Sequence, residues 1–215
     1  MKKIILIVAA ITLMVNNSNS QSSIDVRDKL IFGAKLGANY SNVYDEAGED
    51  FVANPKLGGA LGVFLSIPIG KYLGVQPEVL LSQKGFQATG RILGNTYNFT
   101  RTTTYLDVPV LFAFKPSEFF TLVAGPQYSY LLIQKDVFKN ASTSIEQEQE
   151  FVNDNIRKNT FCVTGGADIN IKHIVISARA GWDVQSNSGN GTSTTPRYKN
   201  VWYQATVGYR FYSHK

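Results

Sequence analysis

Residues 174–184 read Ile174-Val175-Ile176-Ser177-Ala178-Arg179-Ala180-Gly181-Trp182-Asp183-Val184. Every second residue, beginning with Ile174 and ending with Val184, is uncharged and mostly apolar. The residues between them include Arg179 and Asp183. Because successive side chains point to opposite faces of a β-strand, this period of two predicts a strand with one apolar face and one polar face.

The same alternation is found in eight segments of the chain, and none of their apolar faces carries a charge. These predicted strands span residues 31–40, 57–67, 73–84, 104–114, 119–132, 160–170, 174–184 and 200–211. The charged fraction is only 17% and the mean hydropathy is −0.09, which fits neither a disordered chain nor a helical membrane protein.

The opposite faces of the predicted strands consist mostly of small and uncharged polar residues, with eight charges of balanced sign. Those charges are Lys35, Glu78, Lys84, Asp107, Asp168, Arg179, Asp183 and Arg210. Small residues and balanced charges suit a narrow, crowded interior, so the apolar faces are predicted to point outward, as in a transmembrane β-barrel. Lys35, Glu78, Asp107 and Arg179 are predicted to meet at mid-height and neutralise one another.

Aromatic residues on the outward faces fall at the two ends of the predicted strands, where the girdles of membrane barrels lie. The predicted upper girdle consists of Tyr40, Tyr128, Tyr130, Phe161, Trp182 and Tyr203. The predicted lower girdle consists of Phe32, Phe112, Phe114, Phe120, Tyr209 and Phe211. The second and third strands contribute no aromatic residue to either girdle.

Connections between the predicted strands alternate strictly between short and long. Residues 68–72, 115–118 and 171–173 form short connections, whereas 41–56, 85–103, 133–159 and 185–199 form long polar ones. Short periplasmic turns and long extracellular loops are typical of outer-membrane barrels, and an open sheet edge in lipid is prohibitively costly. We therefore expect an all-β, eight-stranded antiparallel up-and-down transmembrane β-barrel, monomeric and filled by its own side chains.

The amino terminus has the features of a secretory signal peptide. Lys2 and Lys3 precede an apolar run that ends at Val15, and small residues lead to Ser20. We expect cleavage near Ser20, a periplasmic segment at 21–30 and the barrel domain at 31–215. The mature chain would then keep 19 basic and 16 acidic residues, an excess too small to predict nucleic-acid binding.

Several motifs resemble the PorT-like outer membrane β-barrel family. They are Val75-Gln76-Pro77-Glu78-Val79-Leu80-Leu81-Ser82-Gln83-Lys84-Gly85, Tyr105-Leu106-Asp107-Val108-Pro109-Val110-Leu111, Ala124-Gly125-Pro126 and Gly208-Tyr209-Arg210-Phe211. The resemblance covers residues 31–211 and implies the same fold, with a link to protein export across the outer membrane. Because proline removes a backbone donor, we expect a β-bulge at one or more of Pro77, Pro109 and Pro126.

The sequence gives little support for catalysis. His173 and His214 fall at the predicted periplasmic end, and no nucleophile elbow or metal-ligand spacing is found. With one cysteine there is no disulfide framework. We expect a barrel in outer-membrane lipid that is not an enzyme, has no cofactor or metal, and has a structural or surface-interaction role, in contact with other envelope proteins through its loops or turns. The alternatives are an accessory component of a secretion system, a soluble lipocalin-like barrel binding a small apolar ligand, and a diffusion channel.

Overall fold

A computed structural model describes residues 25–45, 53–92, 95–140, 143–149, 157–187 and 198–212. The predicted signal peptide at 1–20 and His214 lie outside these residues. The strands are β1 (Ile31–Asp45), β2 (Ala53–Pro68), β3 (Leu73–Ile92), β4 (Asn95–Phe114), β5 (Phe120–Asn140), β6 (Thr143–Gln149), β7 (Asn159–Ile171), β8 (Ile174–Asp183) and β9 (Tyr198–Phe211). None of the described residues forms a helix long and apolar enough to span a membrane.

Eight of the nine strands close a barrel. Each pairs antiparallel with its neighbour in the ring β1-β2-β3-β4-β5-β7-β8-β9, and β9 pairs with β1 to complete the circuit. The remaining strand, β6, lies outside the ring. It pairs with the part of β5 beyond Tyr130, the residue that pairs with the first residue of β7, Asn159. The predicted antiparallel eight-stranded barrel is confirmed, and β6 is an addition within the predicted loop 133–159.

The apolar faces of the strands point outward. Leu61, Val79, Val110 and Val207 leave 57%, 45%, 43% and 51% of their surface exposed on the outside of the barrel. The neighbouring interior positions, such as Asn39, Ser82 and Thr206, are buried. This is the arrangement a barrel needs in lipid, and it is the reverse of the apolar interior that a lipocalin-like barrel would need.

The predicted bulges at the prolines are wrong. The register between β3 and β4 is the same on both sides of Pro77 and Pro109, and Pro126 pairs with Val163 without a shift. The ladder is interrupted near Pro77 and Pro109 but no residue is inserted, so each missing donor is tolerated within an unchanged register.

The bulges that do occur lie higher on the barrel. Four residues of β2, 56–59, face three residues of β3, 83–85, and Leu132 is an extra residue in β5 opposite the step from Thr104 to Tyr105. Because a single inserted residue exchanges the two faces of a strand, the next buried residue of β5 after Leu131 is Gln134, an even-numbered position.

The short connections agree with the prediction to within a residue or two, but the long ones do not. Strand β3 runs to Ile92 and β4 starts at Asn95, so most of the predicted loop 85–103 is a β-hairpin that continues above the barrel. Strands β1 and β5 also extend into the predicted loops 41–56 and 133–159. The long polar connections are therefore partly built from the ends of the barrel strands.

Candidate functional site in the barrel interior

Four of the predicted interior charges form a lower cluster. Lys35 forms an ion pair with Glu78, and Arg179 Nη1 lies 2.6 Å from Asp168 Oδ1. The guanidinium Nη2 of Arg179 lies 3.9 Å from Glu78 Oε1, which joins the two pairs. The amide of Gln76 donates to the same Glu78 oxygen at 2.9 Å. Two cations and two anions are thus brought together inside the barrel, fully buried and mutually neutralised.

A second, upper cluster surrounds Lys84. Its ammonium lies 3.1 Å from Asp107 Oδ2, and 3.7 and 4.8 Å from the ring centroids of Trp202 and Tyr105. The hydroxyl of Ser129 donates to Asp107 Oδ1 at 2.5 Å. An ammonium held between two aromatic faces and a carboxylate can stay charged without water.

The prediction that Asp107 joins Lys35, Glu78 and Arg179 is wrong. Asp107 pairs with Lys84 in the upper cluster, and Asp168 takes the fourth place in the lower cluster. Alternating patterns fix the face of each residue but not its height, because the stagger of neighbouring strands sets which side chains meet across a barrel.

The other two predicted interior charges, Asp183 and Arg210, are also buried. Neither belongs to an ion pair within the part of the chain that the structure describes. Asp183 Oδ2 accepts hydrogen bonds from the backbone and side-chain nitrogens of Asn200 at 3.0 and 2.5 Å, and the Cys162 thiol lies 3.1 Å from Asp183 Oδ1. Arg210 donates to the carbonyl of Lys172 at the periplasmic end. Both charges are therefore held mainly by polar neighbours.

Glycines make room for the largest interior rings. A Cβ atom at Gly181 would collide with the indole of Trp202, and one at Gly33 would collide with the ring of Phe64. The small residues of the polar faces thus accept large side chains from neighbouring strands. At these levels the rings of Trp202 and Phe64 occupy the space inside the barrel.

A layer of aromatic residues that was not predicted from the sequence covers the upper cluster. Phe86 packs edge-on against Tyr198 with ring centroids 5.3 Å apart, and it lies 5.9 Å from Phe99. Arg101 donates to both oxygens of Asp136 at 2.8 and 2.7 Å and to the Tyr198 hydroxyl at 3.1 Å. Phe86, Phe99 and Arg101 belong to the extended hairpin of β3 and β4, whose polar composition resembles a loop, whereas Tyr198 is the first residue of β9.

The mouth of the barrel at the end with the short turns, predicted to be periplasmic, is covered by residues 25–30, which precede β1. Val26 is buried, and Arg27 donates to the carbonyls of Lys115 and Pro116 at 3.3 and 3.2 Å. Lys115 Nζ donates in return to the Arg27 carbonyl at 3.2 Å. The Arg27 guanidinium also holds the pKa of the Asp25 carboxyl well below its usual range, because it donates directly to that carboxylate.

The outer surface places every predicted girdle residue on the outside. All twelve side chains are exposed. Tyr40 pairs with Tyr203 and Tyr128 with Phe161 near the upper end, and the rings of Phe32 and Phe211 stack 5.7 Å apart at the lower end. Tyr72 and Phe119, in the short turns, are also exposed and were not among the predicted girdle residues. Tyr72 lies outside the predicted strands, and Phe119 is the first residue of the predicted strand 119–132, on the face opposite to Phe120.

The groups that could carry catalysis are held in packing contacts. His173 is half-buried and stacks on Tyr209 and Tyr212, with ring centroids 5.2 and 4.3 Å apart. Cys162 is a buried free thiol. Within the described residues, no three His, Cys, Asp or Glu side chains are grouped to hold a metal ion.

Comparisons with known proteins agree with this architecture. The family described as "Outer membrane protein beta-barrel domain" matches residues 17–183, more than three quarters of the chain. The comparison with curated proteins gave no match.

Three solved structures illustrate the structural similarity. Ail, the attachment invasion locus protein of Yersinia pestis, solved in complex with the heparin analogue sucrose octasulfate, is 15% identical; the match covers 84% of this chain and 99% of Ail, with a TM-score of 0.48. Neisserial surface protein A is 9% identical; the match covers 84% of this chain and 97% of that protein, with a TM-score of 0.45. OprG from Pseudomonas aeruginosa is 13% identical; the match covers 86% of this chain and 95% of OprG, with a TM-score of 0.38.

Proposed function

Because the chain belongs to the outer membrane protein beta-barrel domain family, we propose that it is a closed, non-conducting and non-enzymatic barrel with a structural or surface-interaction role. Cleavage of the leader near Ser20 and a monomeric state are parts of this proposal. In an outer membrane the exposed apolar faces would contact lipid and the twelve girdle residues would lie at the two interfaces.

The filled interior is the observation that carries the proposal. The lower ion cluster, the upper cluster around Lys84 and the aromatic layer lie one above another along the barrel. Trp202, at the centre of the upper cluster, is 1% exposed. An ion would have to break buried charge pairs to pass, so a resting conductance is not expected.

Planar-bilayer recording tests this closure. Purified protein reconstituted at neutral pH is expected to produce no stable single-channel steps, whereas a general porin recorded in the same bilayers provides the positive control. Heat-dependent mobility on gels would show that the reconstituted protein is folded. Regular, ohmic steps that scale with the amount of folded protein would contradict a closed barrel and favour the diffusion-channel alternative.

An accessory role in secretion is a second candidate, and the PorT-like resemblance is its starting point. The observation that favours it is the apolar character of the periplasmic end, where Leu30, Ile69 and Phe119 are exposed. Exposed apolar groups at one end of a molecule are suited to a protein partner. Photo-cross-linkers at Ile69 and Phe119 would capture specific envelope proteins in this case, and matched cross-linkers at the extracellular positions Gln87 and Lys139 would not.

A further inference from the structure

A small cavity lies at the periplasmic end, between residues 25–30 and the interior of the barrel. Its volume is about 30 Å³, and Val26 and Ile31 form part of its apolar wall. Space of this size holds one or two water molecules or one small ion. Larger organic molecules do not fit.

Cationic side chains predominate among the charged groups around this cavity. Arg27, Lys115 and Arg210 line it, together with the acids Glu118 and Asp168. Asp168 is already paired with Arg179 at 2.6 Å, and Arg27 with Asp25 at 2.7 Å. Lys115 and Arg210 therefore place two positive charges at the cavity against the single remaining carboxylate of the lining, Glu118.

The ionisation of Lys115 supports this description. Burial lowers the pKa of the Lys115 ammonium, and the nearby positive charges of Arg210 and Arg27 lower it further, against a smaller opposing effect of the Asp28 carboxylate. Its Nζ donates to the backbone carbonyl of Arg27, which is a neutral acceptor. A buried ammonium next to two guanidinium groups is stabilised by any anion that enters the cavity.

Arg210 supplies the second, independent observation. Only 8% of its surface is exposed, and in the described part of the chain no group accepts a hydrogen bond from its Nε. The other end of the guanidinium donates to the Lys172 carbonyl, which fixes its orientation. A buried charged N–H without an acceptor is costly, so this donor requires a partner.

We propose that this cavity binds one small monovalent inorganic anion, such as chloride, between Lys115 Nζ and Arg210 Nε. A water molecule could accept from Arg210 Nε, but it would leave the positive charges uncompensated. The bound anion joins residues 25–30 to the barrel wall and so secures the cover of the periplasmic mouth. The site goes beyond the proposed function and does not depend on whether the barrel conducts.

Thermal unfolding in two salts tests the site in solution. At constant ionic strength, replacing sodium gluconate with sodium chloride is expected to raise the unfolding midpoint of the wild-type protein with saturable dependence, because gluconate is too large for the cavity. In Lys115→Met the half-saturating chloride concentration should rise at least about tenfold, since a charge-assisted contact is lost. Lys139→Met, which removes the same charge from the exposed extracellular end, should behave as wild type.

Equal midpoints in the two salts, or an unchanged chloride dependence in Lys115→Met, would overturn the proposal. A crystallographic measurement on the wild-type protein avoids any loss of folding in the variant. Crystals grown in sodium bromide should give an anomalous peak within contact distance of Lys115 Nζ and Arg210 Nε. Density for water alone, with no anomalous signal at molar bromide, would also overturn it.

Discussion

Replacing Glu78 with leucine is expected to lower the free energy of unfolding by about 3–5 kcal/mol. Glu78 is buried and is the ion-pair partner of Lys35, while Arg179 lies 3.9 Å away. Its removal leaves the Lys35 ammonium buried next to another cation, without its carboxylate. Urea unfolding of the folded barrel in lipid vesicles measures the loss.

A double-mutant cycle shows whether the loss comes from the unpaired charge. Lys35→Met with Glu78→Leu removes a neutral pair, so the double variant should be clearly more stable than the sum of the single losses predicts. Gln87→Leu, on an exposed position of the same strand, should change stability by about 0.5 kcal/mol or less. Strictly additive losses would show that the lower cluster does not act as a unit.

Truncating Trp202 to alanine should cost about 3–5 kcal/mol, because it removes the largest fully buried side chain of the interior. The indole fills the space left by Gly181 and lies over the Lys84 ammonium. Its loss creates a cavity that the rigid barrel cannot close and leaves the ammonium with one aromatic partner, Tyr105. Urea unfolding measures this effect as well.

The second tryptophan of the chain is the matched control for this substitution. Trp182 faces outward and is 46% exposed, so lipid can fill the space that Trp182→Ala leaves. Its loss should cost about 1 kcal/mol or less. Similar losses at the two positions would mean that Trp202 is not packed in a closed interior.

Much of the barrel could be predicted from alternation alone. The period of two fixed which residues share a face, and an apolar face without charges, such as that carrying Leu61 and Val79, is only stable against lipid. Aromatic residues at the ends of the outward faces, such as Phe32 and Phe211, follow the same periodicity and meet in the structure. These features depend on local sequence and on the surrounding solvent.

Three features could not be predicted from alternation: the extension of the strands into polar segments, the β-bulge in β5, and which interior charges meet. Residues 100–103 are polar at every position, so their sequence shows no alternation of apolar and polar residues although they lie in β4. The extra residue at Leu132 shifts the phase of β5 without any glycine or proline to mark it. The pairing of Asp107 with Lys84 depends on barrel stagger, which sequence spacing within one strand does not contain.

The two tryptophans also provide the most direct test of the orientation of the faces. Quenching by lipids brominated on their acyl chains reports contact between an indole and the membrane, and the chain has no other tryptophan than Trp182 and Trp202. In Trp202→Phe the remaining Trp182 should be strongly quenched, whereas in Trp182→Phe the buried Trp202 should be quenched little. Strong quenching of Trp202 together with a protected Trp182 would contradict a barrel with its apolar face in lipid and its polar face inside.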